Sequence, residues 1–328
     1  MGRDLSPAVY AALCAFVLNI IFANILIPKL ASHMFRSFER KDYTAMHQRA
    51  KQGTPTMGGL IILISFVLAS FLFLGPHSEN VALILVTVGF GAVGFIDDYM
   101  KVIKKKPDGF KVWQKMLGQI IITAVFAAYL LVFRDSPGQT YIYIPFLGPD
   151  PINLGVMYIP FLFLVMLGTV NGANFTDGLD GLASGVTVLI TAFFLFAAWA
   201  MGSPILPLAG AAAGSLLGFL LFNSYPAKIF MGDTGSLALG GFVAATSVLL
   251  KMPLFILIVA LIYLIEVISV IIQVLYFKAT HRRFFKMAPI HHSFEMSGWS
   301  ETKIVALFYV ITAVLCLIGY LAGRMIML

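Results

Sequence analysis

Five aspartates hold the most reactive chemistry in this sequence, and all stand at the ends of long apolar runs: Asp97, Asp98, Asp177, Asp180 and Asp233. The chain has only 15 acidic residues in 328, so one third of its acids sit where an apolar helix would meet water. A carboxylate at that depth is costly unless a cation or a hydrogen-bond donor faces it. Asp97 and Asp98 are adjacent, so on a helix their side chains diverge by about 100° and can do different jobs, one facing a metal and the other a reacting group. Lys101 lies four residues beyond Asp97 and three beyond Asp98. The alternative, surface acids paired with Lys104-Lys105-Lys106, fits poorly with a position directly after an apolar run.

Two further segments concentrate oxygen ligands. Asn171 to Gly181 contains Asn174, Asp177 and Asp180, with Gly178 and Gly181 allowing close backbone approach. Asp177 and Asp180, three apart, share a face if the segment is helical. Phe230 to Ser236 places Gly232, Asp233, Thr234 and Ser236 together. Oxygen-only ligation of this kind suits Mg²⁺, which keeps waters and takes a few carboxylates plus substrate phosphates. Neither an EF-hand nor a Cys/His zinc spacing is present.

Gly53-Thr54-Pro55-Thr56-Met57-Gly58-Gly59, preceded by Lys51, opens an apolar run without the Gly-Lys-Ser/Thr ending of a P-loop. It reads either as a backbone N–H cradle for an anion or as an ordinary helix start. His291 and His292 follow Arg282-Arg283 in a basic stretch, where they could hold phosphate oxygens. Glu266 sits in the middle of an apolar run, as a functional group or as a buried, hydrogen-bonded packing group. Gly89-Phe90-Gly91-Ala92-Val93-Gly94 matches the dinucleotide pattern, but it lies inside an apolar run with no strand before it. Close helix packing accounts for it better, and for Gly214 to Gly218 as well.

The elements that must position these groups follow from composition. Hydrophobic residues make up 60% of the chain and charged residues 11%, and the mean hydropathy is +0.93. A globular water-soluble domain of this length needs far more polar surface. Ten spans are expected, in a single membrane domain covering 1–328: roughly 7–29, 57–75, 81–97, 116–133, 155–172, 182–201, 205–222, 236–250, 254–277 and 303–323. The fold class is all-α and polytopic, with a small hairpin expected within 134–154, where Tyr141-Ile142-Tyr143-Ile144 lies between Pro/Gly-rich flanks. The first span lacks a basic leader and a cleavage site, and reads as a retained helix. Cys14 and Cys316 lie inside spans and give neither a disulfide framework nor metal spacing.

Alternate loops near 29–56, 98–115, 223–235 and 278–303 hold six, six, one and five of the 22 Lys and Arg residues, eighteen in all. The positive-inside rule puts that side in the cytoplasm and both termini outside. All five aspartates then fall on the cytoplasmic face, although that orientation follows from Lys and Arg alone. The +7 net charge is thus a membrane-orientation signal, and no nucleic-acid patch stands apart from the spans.

Carboxylates do not bind phosphate directly, so a divalent cation must bridge them to it. Basic loops and N–H groups on the same face would hold the remaining phosphate charge. The arrangement suits phosphoryl transfer, in which catalysis is mostly positioning and charge neutralisation. A secondary transporter is the rival of a different class, but its acids belong near the bilayer midplane, and only Glu266 lies there.

Taken in order, Lys51 to Gly59, Asp97-Asp98, Asn174 to Asp180, Asn223, Phe230 to Ser236 and Pro289 to Glu295 resemble the polyprenyl-phosphate N-acetylhexosamine-1-phosphate transferases over essentially the whole chain, and most closely their muramoyl branch. The resemblance implies ten transmembrane helices, a homodimer in the bacterial inner membrane, and Mg²⁺ as cofactor. It implies transfer of phospho-MurNAc-pentapeptide from UDP-MurNAc-pentapeptide to undecaprenyl phosphate, giving lipid I and UMP in peptidoglycan synthesis. On the same resemblance Asp233 is the metal ligand and a catalytic residue, Asp97 and Asp98 are the catalytic pair, with Asp98 deprotonating or orienting the lipid phosphate, and His291 is also catalytic. Asn174, Asp177 and Asp180 shape the nucleotide site and Phe230 stacks on uracil. Lys51, Thr56, Lys101, Asn223, Gly232, Ser236 and His292 contact substrate. One position departs from the pattern: the branch usually shows three consecutive histidines, and the third here is Ser293. That departure keeps a UDP-GlcNAc-using relative as the second substrate expectation.

Overall fold

A computed structural model describes residues 4–32, 53–104, 109–133 and 138–327. The helices are α1 (Ser6–Ser32), α2 (Gly59–Leu72), α3 (Ser78–Val102), α4 (Val112–Ala128), α5 (Tyr158–Thr176), α6 (Leu182–Met201), α7 (Leu206–Asn223), α8 (Gly232–Leu249), α9 (Ile256–Val259), α10 (Leu261–Thr280), α11 (Ile290–Glu295) and α12 (Glu301–Met327). A π-helical turn, Tyr129–Phe133, extends α4, and 3₁₀ turns precede α5 and α9. Among the described residues, eight helical segments are long and apolar enough to cross a membrane, while α2 is a shorter apolar helix of 14 residues. The chain is therefore an all-α, multi-span membrane protein.

The surface matches a lipid solvent. On α1, Ala8, Ala11, Ala15, Asn19 and Ala23 form one buried stripe, while Val9, Tyr10, Leu13, Val17, Ile21 and Ile25 are exposed. Apolar side chains can face outward there because the surroundings are hydrocarbon, and packing rather than water exclusion must join the helices. Small residues do that joining. A Cβ on Gly210 or Gly214 of α7 would strike the carbonyl oxygens of Ala8 and Ala12 on α1.

Helix α8 is the hub, with every residue from Thr234 to Leu249 buried. It is built largely from Gly, Ala, Ser and Thr, so its neighbours approach to backbone distance. A Cβ on Gly240 would lie 2.6 Å from the Val170 Cα of α5. Gly94 of α3 lies against the Asp233 carbonyl, and Gly59 of α2 against the Gly235 backbone. The Gly89–Gly94 pattern is thus a packing surface, as expected, with Gly91 against Leu63 and Gly89 against Ile122.

Nine of the ten expected spans correspond to single helical segments. The ninth, expected as one run over 254–277, is broken at Ala260 (φ −111°, ψ 28°) into α9 and α10. The expected hairpin pairs Tyr141 with Asn153 and Ile142 with Ile152. It rests on the protein through Tyr143 N–H donating to the Lys251 carbonyl (2.7 Å) and Phe146 N–H donating to the Ala322 carbonyl (2.9 Å). Lys251 follows the C-terminal end of α8, so the hairpin and the Asp233 end lie at opposite ends of the hub helix.

Candidate active site

The C-terminal end of α3 and the N-terminal ends of α4 and α8 converge with the last turn of α5. Asp97 and Asp233 meet there through one ammonium group: Lys101 Nζ lies 2.7 Å from Asp97 Oδ2 and 2.7 Å from Asp233 Oδ2. Lys115, in the first turn of α4, adds a second cation at 3.0 Å from Asp233 Oδ2 and 3.8 Å from Asp97 Oδ2. Asn174 completes the group. Its Nδ2 donates to Asp233 Oδ1 (2.8 Å) and Ser236 Oγ (2.8 Å), and its Oδ1 accepts from Lys115 Nζ (2.9 Å). The Phe110 N–H donates to Asp97 Oδ1 at 2.6 Å.

The neighbouring carboxylates do diverge. Asp98 Oδ2 accepts from the Thr234 N–H (2.8 Å) and the Thr234 hydroxyl (2.6 Å), and its Oδ1 accepts from the Asp233 N–H (3.1 Å). Asp98 thus caps α8 from another helix, at the positive end of its dipole. Gly232 leaves room for this, since a Cβ there would lie 2.7 Å from Asp98 Oδ2 and 3.2 Å from Thr56 Oγ1. Both carboxylates are buried, Asp97 at 2% and Asp98 at 4% exposure, which excludes the surface-acid alternative.

The Gly/Thr-rich segment before α2 is pinned along the chain that leads into α8. Gly58 N–H donates to the Phe230 carbonyl (2.9 Å), Gly59 N–H to the Met231 carbonyl (2.8 Å), and Phe230 N–H to the Pro55 carbonyl (2.8 Å). The N–H groups of Gly58 and Gly59 are therefore engaged within the protein and do not form the anion cradle considered for them. The segment instead brings Thr56 beside Gly232 and holds the backbone of Phe230, two residues before it. Lys51 lies outside the described residues.

The other expected site residues belong to adjoining networks. Asp177 is the C-cap of α5, and the chain then turns rather than continuing as helix, with Gly181 at φ +79°. Asp177 and Asp180 therefore do not share a helix face. Asp180 Oδ2 accepts from the Ala227 N–H (2.9 Å), and its own N–H donates to Glu301 Oε1 (2.6 Å). Asn223 is 3% exposed, accepts from the Ser184 hydroxyl (2.5 Å) and donates to the Ile229 carbonyl (3.0 Å), so it fixes the segment leading to Phe230.

His291 and His292 are buried, with ring centroids 4.1 Å apart. Burial pulls the His292 pKa below 6.5, outweighing the Glu295 carboxylate 2.5 Å from its Nδ1. A neutral imidazole in that position donates Nδ1–H to Glu295 and leaves Nε2 as an acceptor.

Lys115 and Glu301 escaped the sequence reading. In the sequence Lys115 is one of six basic residues in a loop with no motif of its own, although a helix start after Lys111 aims it back at the acids. Glu301 opens the last helix and carries no local motif; only the fold takes it to Asp180.

Among the described residues, no set of three or more His, Cys, Asp or Glu takes a metal-ligand arrangement. Two carboxylate oxygens nonetheless converge on a single cation, Lys101 Nζ. Convergence of that kind fits Mg²⁺, which needs only one or two protein carboxylates when substrate phosphates and waters supply the rest.

Comparison with known proteins is consistent with this architecture. Residues 80–251 match the model of Glycosyl transferase family 4. Residues 51–63 match phospho-N-acetylmuramoyl-pentapeptide-transferase signature 1. A phospho-N-acetylmuramoyl-pentapeptide-transferase of Acetivibrio thermocellus is 47% identical over 325 residues, 98% of this chain and 97% of the relative. Relatives of the same name from Clostridium novyi and Clostridioides difficile are each 45% identical, over 97% and 98% of this chain and 97% and 99% of their own lengths. With near-complete coverage at this identity, and with the signature falling on the segment that packs under α8, the chain belongs to the phospho-N-acetylmuramoyl-pentapeptide-transferase family.

Proposed function

We infer that this protein transfers phospho-MurNAc-pentapeptide from UDP-MurNAc-pentapeptide to undecaprenyl phosphate, forming lipid I and releasing UMP for peptidoglycan synthesis. The observation that carries the reading is the meeting of Asp97 and Asp233 with Lys101, Lys115 and Asn174 at one end of a membrane-spanning bundle. Carboxylates, ammonium groups and a bridging amide at that depth suit a reaction whose substrates are a diphosphate and a lipid phosphate.

Asp233 and Asp97 would hold Mg²⁺, which when bound neutralises charge on the diphosphate. Lys101 and Lys115 are placed to hold phosphate oxygens as the bond to UMP breaks and the bond from the lipid phosphate forms at the sugar-bearing phosphorus. Asn174 fixes the orientation of Asp233 and links it to Ser236. Asp98 works by holding the start of α8, and so Asp233, in place. Phe230 and Thr56 border the group on the side of α2, where uracil and the diphosphate would lie, and Asp177 and Asp180 belong to the turn flanking it. His291 lies against that turn at Gly178, and with His292 beside it would border the donor from that side. Lys-rich loops orient this face to the cytoplasm of the inner membrane, where UDP-sugars are available, and the exposed apolar faces leave room for a second copy in a homodimer.

The substrate assignment is tested by donor competition. Purified protein given equal UDP-MurNAc-pentapeptide and UDP-GlcNAc with undecaprenyl phosphate is expected to form the muramoyl product almost exclusively. Preference for UDP-GlcNAc would overturn the assignment and would trace to Ser293, where the branch carries a third histidine.

A further inference from the structure

Glu266 takes no part in the transfer as derived above, yet it is completely buried in α10. Its Oε1 lies 3.1 Å from His291 Nδ1, with side-chain exposures of 0% and 1%. Neither carboxylate oxygen of Glu266 and neither ring nitrogen of His291 has an aligned hydrogen bond among the described residues. A buried carboxylate without donors is expensive, and within a membrane-spanning helix it is rarely retained without a task. The task is indicated by the far side of the ring: a Cβ on Gly178 would fall on His291 Nε2. The imidazole is thus wedged between a carboxylate rooted in α10 and the backbone of the turn that carries Asp177 and Asp180.

The same turn is tied down from elsewhere in the last third of the chain. Glu301 of α12 accepts from the Asp180 N–H at 2.6 Å, and the Tyr309 hydroxyl donates to the Gly181 carbonyl at 2.6 Å. Those two ties hold the far end of the turn. The Glu266–His291 pair meets it at the other end, at Gly178, next to Asp177.

We propose that Glu266 is a positioning residue: it orients the His291 ring, and the ring sets the place of the Asp177–Gly178 turn against the donor nucleotide. The proposal rests on the reading of that turn as part of the donor site.

The test is steady-state kinetics of Glu266→Ala, Glu266→Gln, His291→Ala and the Glu266→Ala/His291→Ala double variant, with UMP affinity measured calorimetrically. Glu266→Ala is expected to raise KM for UDP-MurNAc-pentapeptide about tenfold. KM for undecaprenyl phosphate should stay as in the wild type. Glu266→Gln, the same shape without the charge facing the ring, should show a smaller but still measurable loss. The double variant should be no worse than His291→Ala, because both changes remove one device. UMP affinity should fall in parallel with the donor KM.

Wild-type donor KM in Glu266→Ala would overturn the proposal, as would multiplicative losses in the double variant or equal losses for both substrates. If Glu266→Ala does not fold, the isosteric Glu266→Gln decides through UMP affinity, which must fall at least measurably below wild type. Failure of the functional reading looks different: the wild type itself would not turn over the muramoyl donor.

Discussion

Asp233→Asn is expected to lower kcat for UMP release by about a thousandfold while leaving the thermal unfolding midpoint close to that of the wild type. Among the described residues Asp233 is the one carboxylate in contact with both ammonium groups and with Asn174. Asparagine keeps the shape, so the packing of α8 below it is unchanged. What disappears is half of the carboxylate pair that converges on one cation. Among the described residues Lys101 then keeps Asp97 alone as an anionic partner, and the charge pattern complementary to a metal-bound diphosphate is lost. Near-wild-type turnover, measured by release of UMP from labelled donor, would remove Asp233 from the reaction.

Gly94→Ala should cause the second large loss, through geometry rather than charge. A Cβ at residue 94 falls on the Asp233 carbonyl and near the Thr234 N–H, so the obstacle is backbone and has no rotamer to yield. Overpacking of this kind costs about 1–3 kcal/mol, and the displaced segment is the start of α8, which carries Asp233 and receives the Asp98 cap. Activity should fall more than stability does. Gly168→Ala is the matched control, because nothing lies within 4 Å of its added Cβ. That substitution removes a helix-interior glycine and should leave stability unchanged or raise it by about 0.5–1 kcal/mol. Equal unfolding midpoints and equal UMP release for the two variants would contradict the close α3–α8 approach.

The fold was legible where the physics is one-dimensional. Long apolar runs become helices in lipid because every backbone group must be satisfied internally, and helix breakers such as Gly202-Ser203-Pro204 end them in the sequence as in the structure. The break at Ala260 was not legible. The surrounding residues Ile258-Val259-Ala260-Leu261-Ile262 contain no glycine or proline to announce it.

The site divides in the same way. Asp97, Lys101 and Asp98 could be related in advance because four residues and one residue on a helix have fixed consequences. The i,i+4 ion pair of Lys101 with Asp97 and the divergence of Asp98 follow directly. Asp233 with Asn174, Lys115 with both, and Glu301 with Asp180 span separations that no local rule reaches. The glycine segment 53–59 shows the opposite failure: its composition permitted an anion cradle, but the Phe230 and Met231 carbonyls claim the N–H groups of Gly58 and Gly59.

The central claim is that the carboxylate and lysine group at the start of α8 joins a lipid phosphate to a UDP-linked muramoyl donor. It is tested most directly by multiple-turnover UMP release from UDP-MurNAc-pentapeptide, measured with purified protein with and without undecaprenyl phosphate, and with EDTA followed by added Mg²⁺. The expected result is UMP and lipid-linked product in equal amounts, only when the acceptor is present, silenced by EDTA and restored by Mg²⁺. Sustained release without acceptor, or undiminished release in EDTA, would contradict it.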